Sequence, residues 1–181
     1  AWAVGVDFGG TNIKCGVVDR RGRVARSCAL SSADAGSPAA FVEALSRAVE
    51  DLTRGLGIPV RALRGIGVGA PGVVDVRRGI VHWLVNVPGW RNVPLARRLS
   101  ARLGVPVFVD NDVNLVALGE WRWGAGRGTT TLVCLTLGTG LGGGLVFASA
   151  ATYAIYLLAG SRVVLKLGSM RFAAYTAIAA C

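Results

Sequence analysis

At 181 residues, 52% of them hydrophobic, the chain is long enough for one packed domain or a domain plus part of a second, and too apolar to be disordered. Its net charge of +10 comes almost wholly from arginine, the only lysines being Lys14 and Lys166. The arginines are scattered, with no run longer than Arg20-Arg21, Arg77-Arg78 or Arg97-Arg98, and aromatics do not interleave with them as they would on a stacking platform, which favours a solvated basic surface over nucleic-acid binding.

In chain order, residues 3–18 read as a β-hairpin: an apolar run ends at Asp7, a Gly-Gly-Thr-Asn turn follows, and residues 13–18 return apolar. A turn at residues 19–22 leads to a third strand over 24–30, and a Ser-, Ala- and Gly-rich loop covers 31–38. Phe41, Val42, Leu45, Val49 and Leu52 recur at helical spacing, and Gly55 and Gly57 stop that helix. Residues 66–68 form a short strand entering Gly69-Ala70-Pro71-Gly72; a loop surrounds residues 86–90, and a helix over 94–103 ends at Gly104. A strand over 105–109 delivers Asp110-Asn111-Asp112 to a helix over 113–123, and strands over 130–137 and 141–146 flank a second Gly-rich turn. This alternation argues an α/β architecture.

The cysteines Cys15, Cys28, Cys134 and Cys181 are far apart in sequence, and His82 is the only histidine, so no zinc-ligand spacing exists. Cys15 and Cys134 lie in apolar strand-like runs, which reads as buried free thiols in a reducing compartment. The first residues enter a strand with no basic segment or cleavage site ahead of it, so a cytoplasmic location is expected.

Three constellations carry chemistry. In Asp7-Phe8-Gly9-Gly10-Thr11-Asn12, two glycines let a tight turn bring N–H groups near an anion, Thr11 and Asn12 add donors, and Asp7 can hold Mg²⁺ through water. An ordinary hairpin turn is the plainer reading of the same residues. Gly138-Thr139-Gly140, within a Gly-rich stretch between two strands, repeats the idea; its plainer reading is a flexible connector. Asn111-Asp112 sits at a strand-to-helix junction, where an acid is either a helix cap or a catalytic base at the carboxyl end of a strand. Spacing leaves both open.

The ordered set D-F-G-G-T-N, G-A-P-G, N-V-P-G-W, V-D-N-D-V-N-L-V-A-L-G-E, G-A-G-R-G and L-T-L-G-T-G-L-G-G-G resembles the ROK (repressor, open reading frame, kinase) sugar-kinase pattern, glucokinase-like, over residues 4–146. The resemblance implies an actin-like ATPase (ribonuclease-H-like) N-terminal domain over residues 1–146 and ATP-dependent phosphorylation of a hexose, glucose first, using ATP and Mg²⁺. It assigns Asp7, Gly9, Gly10, Thr11 and Asn12 to the first phosphate loop and Gly138, Thr139 and Gly140 to the second. Asp112 becomes the general base, and Gly72, Asn86 and Asn111, with Asp112, become sugar contacts. Trp90 and Glu120 match the pattern and read as structural. The partners implied are a small-molecule sugar and ATP, with no nucleic acid and no membrane; full-length members leave room for homo-oligomers.

Residues 147–181 depart from the family: no E-x-G-H segment, no cysteine-rich zinc site and no second lobe follow. The expected reading is a truncated or aberrant second lobe, from a shifted frame or a misjoined gene. A true terminal helix is one alternative. A membrane segment is another, although the apolar run is shorter than the roughly 20 residues a span needs. The alternatives to a kinase are a non-catalytic sugar- or nucleotide-binding module and the remnant of a ROK transcriptional repressor, which would need a DNA reader ahead of the first strand.

Overall fold

The computed structural model describes residues 1–84, 87, 89–137 and 141–147. The chain divides into two compact units, Ala1–Asp112 and a second from Val113 onward.

The first unit is built on a five-stranded sheet. Its strands are β1 (Trp2–Phe8), β2 (Asn12–Val18), β3 (Val24–Ser31), β4 (Leu63–Ala70) and β8 (Val107–Asn111), in the order β3-β2-β1-β4-β8. β1 to β3 form the expected antiparallel meander, whereas β4 and β8 join parallel to β1 through helical crossovers. Period-two alternation gives each strand one apolar face. Val4, Val6, Phe8, Ile13, Cys15, Val17, Ile66, Val68 and Val109 are all buried on it.

Two helices belong to that core. α1 (Pro38–Arg54) starts where the Ser37 hydroxyl accepts the Ala40 N–H at 3.2 Å, with Pro38 in its first turn. It buries Phe41, Leu45, Val49 and Leu52 along one stripe. α2 (Leu95–Leu103) buries Leu95, Leu99 and Leu103 and stops at Gly104, whose φ of 70° is left-handed. Arg102 of α2 reaches Glu50 at 2.8 Å and Glu43 at 3.4 Å on α1; these pairs are solvent-facing and worth little.

Three aromatic rings close the core. Phe8 stacks on Phe41 with centroids 4.6 Å apart, and Trp90 meets each edge-on at 5.3 Å. All three are fully buried, so the N-V-P-G-W tryptophan is a core residue.

The structure departs from the sequence reading between Gly72 and Val93. Around the loop expected at residues 86–90, where the sequence marks no strands, it forms a second sheet, β5 (Gly72–Asp75), β6 (Ile80–Leu84) and β7 (Arg91–Val93), in the order β5-β6-β7. These strands are too short and too polar in places to show alternation, and only pairing reveals them: Val74 faces Val81, and Val81 faces Val93. β4 begins at Leu63, earlier than residue 66. β8 extends through Asn111, so Asp110 and Asn111 are strand residues.

The second unit contains most of α3 (Asp112–Trp123, whose first residue ends the first unit) and the antiparallel hairpin β9 (Thr131–Leu137) and β10 (Leu141–Phe147). Gly144 is buried, and a Cβ there would lie 2.6 Å from the Val113 carbonyl oxygen and 3.0 Å from the Ala117 methyl, so the helix rests directly on β10. Glu120 finishes α3: its carboxylate accepts the Ala125 N–H at 2.9 Å and its carbonyl accepts those of Gly124 and Gly126. Among the described residues, no helix is long and apolar enough to cross a membrane. Nearly all of the 147–181 tail lies outside the described residues.

Two substitutions test this core by urea unfolding. Trp90→Ala is expected to cost about 3–5 kcal/mol through the cavity it leaves. Ser46→Ala should instead stabilise by roughly 1 kcal/mol, because the Ser46 hydroxyl is buried in α1 without a hydrogen-bond partner and alanine is the better helix former.

Candidate functional site

The residues expected to form the first phosphate loop make the turn between β1 and β2. Phe8, locked by Phe41 and Trp90, fixes where β1 ends, and the chain reverses through Gly9, Gly10 and Thr11 into Asn12. The Gly9 N–H donates to the Asn12 carbonyl at 3.1 Å. A Cβ at Gly9 would lie 2.7 Å from that oxygen, while one at Gly10 would meet open space. Gly9 is therefore required by close approach of backbone to backbone, not by a left-handed φ. Gly10, Thr11 and Asn12 are exposed and present the outer edge of the turn to solvent.

Sequence reasoning missed what buttresses this loop. The Ser32 hydroxyl donates to the Gly9 carbonyl at 2.9 Å, and the Ser32 N–H donates to the Thr11 carbonyl at 3.1 Å. Asn12 pairs with Ser31 across β2 and β3, so the serines at the end of β3 hold the loop from behind. Their only sequence signal is a Ser-Ser pair at the end of a strand.

The sheet register explains what surrounds Asp7. It pairs with Lys14 on β2 and with Gly69 on β4, and Gly69 pairs with Asp110 on β8. Lys14, Asp7, Gly69 and Asp110 thus form one row on the face opposite Val6, Val68 and Val109. Gly69 contributes no side chain, so the two carboxylates face each other across a single strand, about 10 Å from backbone to backbone. The Asp110 carboxylate accepts the Asn111 N–H at 2.6 Å. The sequence marks Asn111 and Asp112 as site residues but not Asp110, whose place beside Asp7 depends on the sheet register.

The other expected sugar contacts meet at the carboxyl ends of β4 and β8. The Asn111 side-chain amide donates to the Gly72 carbonyl at 3.2 Å, tying the G-A-P-G turn to the V-D-N-D strand end. Gly72 has φ of 136°, and a Cβ there would sit 2.3 Å from the Trp83 carbonyl oxygen, so no other residue fits. Asp112 follows as the first residue of α3 and its only first-turn acid, a position whose helix dipole favours a carboxylate. Asn86, Gly138, Thr139 and Gly140 lie outside the described residues. Among the described residues, no group of three or more His, Cys, Asp or Glu side chains is placed to hold a metal ion.

The ROK family model matches residues 3–154. A glucokinase of Streptomyces coelicolor is 40% identical over 143 residues, 79% of this chain and 43% of the relative. The crystal structure of a ROK family glucokinase from Streptomyces griseus, in complex with glucose and AMPPNP, superposes with a TM-score of 0.72 at 38% identity, covering 82% of this chain and 45% of that one. A putative xylose repressor of Caldicellulosiruptor is 36% identical over 107 residues, 59% of this chain and 26% of the relative. The chain spans under half the length of the curated relatives it matches. The actin-like ATPase fold expected from the motifs is the fold of these structural neighbours.

The two glycines of the first loop should separate on substitution. Gly9→Ala is expected to lower stability by about 1–3 kcal/mol, since the new methyl must displace backbone. Gly10→Ala should stay within about 0.5 kcal/mol of the parent. Equilibrium unfolding of the two variants reads the difference.

Proposed function

The chain belongs to the ROK family, and from that premise we propose that it carries the catalytic base and first phosphate loop of an ATP-dependent hexose kinase, with glucose as the hexose. The observation that carries this reading is the Asn111–Gly72 bond, which gathers two separate motifs at the strand ends immediately before Asp112. Ligands of open α/β sheets bind at such carboxyl ends.

In this reading Gly72 and Asn111, with Asn86, orient the sugar. The hydroxyl oxygen to be phosphorylated attacks the γ-phosphorus of ATP, its proton passes to the Asp112 carboxylate, and the bond from that phosphorus to the ADP oxygen breaks. Phosphoryl transfer needs little covalent help from the protein; positioning and charge stabilisation dominate. The exposed turn at Gly10, Thr11 and Asn12 faces the phosphate tail, and residues 138–140 supply the second loop.

The donor set suits Mg²⁺ delivered with the nucleotide. Asp7 is an exposed carboxylate beside the phosphate loop, and a metal of this kind is usually held by one or two carboxylates plus substrate phosphates, without a dedicated protein cage. When bound, the ion neutralises charge on the phosphate oxygens. Asp7 would hold it through water, and the protein's part is to place that carboxylate.

The match to a putative xylose repressor favours a second reading, a sugar-responsive regulatory module in which the same contacts bind sugar without transfer. Turnover separates the two.

In a polypeptide of the relatives' full length, Asp112→Asn is expected to lower kcat by about 10²–10⁴ with sugar affinity nearly unchanged. Asn111→Ala should weaken sugar binding first. A coupled assay with glucose and ATP, beside calorimetric sugar binding, reads both. Retention of near-normal kcat in Asp112→Asn would reduce that carboxylate to a helix-start acid, and binding without any turnover in the parent would favour the regulatory reading. The 181-residue chain by itself is expected to turn over glucose far below the order of 10 s⁻¹ typical of enzymes.

A further inference from the structure

Two cysteines far apart in sequence stand directly opposite each other where β2 pairs with β3, Cys15 against Cys28. Both are free thiols. Opposed residues on antiparallel strands have Cα atoms about 4.5 or 5.5 Å apart, according to the type of pair. Either spacing falls within the roughly 4.4–6.8 Å that a disulfide spans.

Their surroundings differ. Cys15 belongs to the buried core, sealed from solvent. Cys28 is half-buried and lines an open groove of about 420 Å³ between β3 and α1, beside Arg26, Arg47, Ala48 and Asp51. Burial pushes the Cys15 thiol up to about 12, and the Cys28 thiol is raised chiefly by burial as well. The proximity of the two thiols works in opposite directions, raising Cys15 and lowering Cys28. The Asp51 charge raises Cys28 further, while Arg26 and Arg47 line the same groove with positive charge. Cys28 is thus the thiol that solvent reaches and that ionises first.

We propose that Cys15 and Cys28 form a redox-modification site, in which Cys28 accepts a low-molecular-weight disulfide and Cys15 resolves it into a cross-strand disulfide. The Cys28 thiolate attacks one sulfur of the incoming disulfide, that S–S bond breaks, and the first small thiol leaves and takes up a proton. Cys15 then gives up its proton and attacks the Cys28 sulfur, breaking the mixed disulfide and releasing the second small thiol. The two cysteines together lose two electrons and two protons, and the external disulfide gains them. The arginines in the groove suit a disulfide carrying carboxylates. The crosslink ties β2 to β3 just behind Asn12 and Ser31, where the first loop is anchored. This site stands apart from the kinase reading and does not depend on it.

The test is to incubate the folded protein with glutathione disulfide and map its cysteines without reduction. Cys134→Ser and Cys181→Ser remove the other thiols; the same map on the unsubstituted protein serves if that background does not fold. Trypsin cuts at Arg20, Arg21, Arg23 and Arg26, between the two cysteines, so a crosslink appears as two joined peptides. The expected result is joined Cys15 and Cys28 peptides, a mass lower by about 2 Da, a higher Tm, and reversal by dithiothreitol. Because Cys28 is raised, formation should speed up about tenfold per pH unit below its pKa. In Cys15→Ser the reaction should stop at a stable glutathione adduct on Cys28, and in Cys28→Ser the sealed Cys15 should stay reduced. A protein that keeps both thiols, or that stops at the Cys28 adduct with Cys15 present, overturns the proposal.

Discussion

Phe8, Phe41 and Trp90 meet in the middle of the first unit, and most of what matters near the candidate site is placed by that contact. Phe8 is the last residue of β1, Phe41 lies early in α1, and Trp90 directly precedes β7. Stacking Phe8 on Phe41 and closing both with the indole joins the five-stranded sheet, its covering helix and the small sheet through three side chains. Aromatic packing of this kind is geometrically specific, with offset and edge-on arrangements favoured over loose contact. The Gly9–Asn12 turn begins one residue after Phe8, so its starting point is set by core packing and not by the turn itself.

From that fixed start, the glycines act through proximity. Gly9 lies under the Asn12 carbonyl, Gly72 against the Trp83 carbonyl, and Gly144 beneath α3 at Val113 and Ala117. In each case a methyl group would occupy space that neighbouring atoms already fill. Gly72 alone of the three combines this with a positive φ. Gly69 works differently: it stands between Asp7 and Asp110 in the sheet register and adds no side chain between the two carboxylates.

The two faces of the sheet divide the labour. One carries the apolar row that α1 and α2 cover, and it also buries Cys15 opposite Cys28. The other carries exposed Lys14 and Asp7 and half-buried Asp110, charged groups that are costly to bury unpaired. Strand alternation makes this partition automatic once the register is set, because one shifted residue would exchange the faces.

By itself the sequence determined the local pieces. The β1–β2 hairpin, α1 with its Ser37 cap, α2 ending at Gly104 and the junction at Asp112 all follow from periodicity, capping and turn chemistry within short windows. The ordered motifs carried the family and the fold. Tertiary structure alone decided what meets across distance: Asn111 with Gly72, Ser32 with Gly9, Asp7 with Asp110, Cys15 with Cys28, and the three strands between Gly72 and Val93. Each depends on a pairing register, and a register is chosen by which faces the whole core can bury together. No window of neighbouring residues contains that information, so short strands such as Arg91–Val93 look like loop until Val93 is seen opposite Val81.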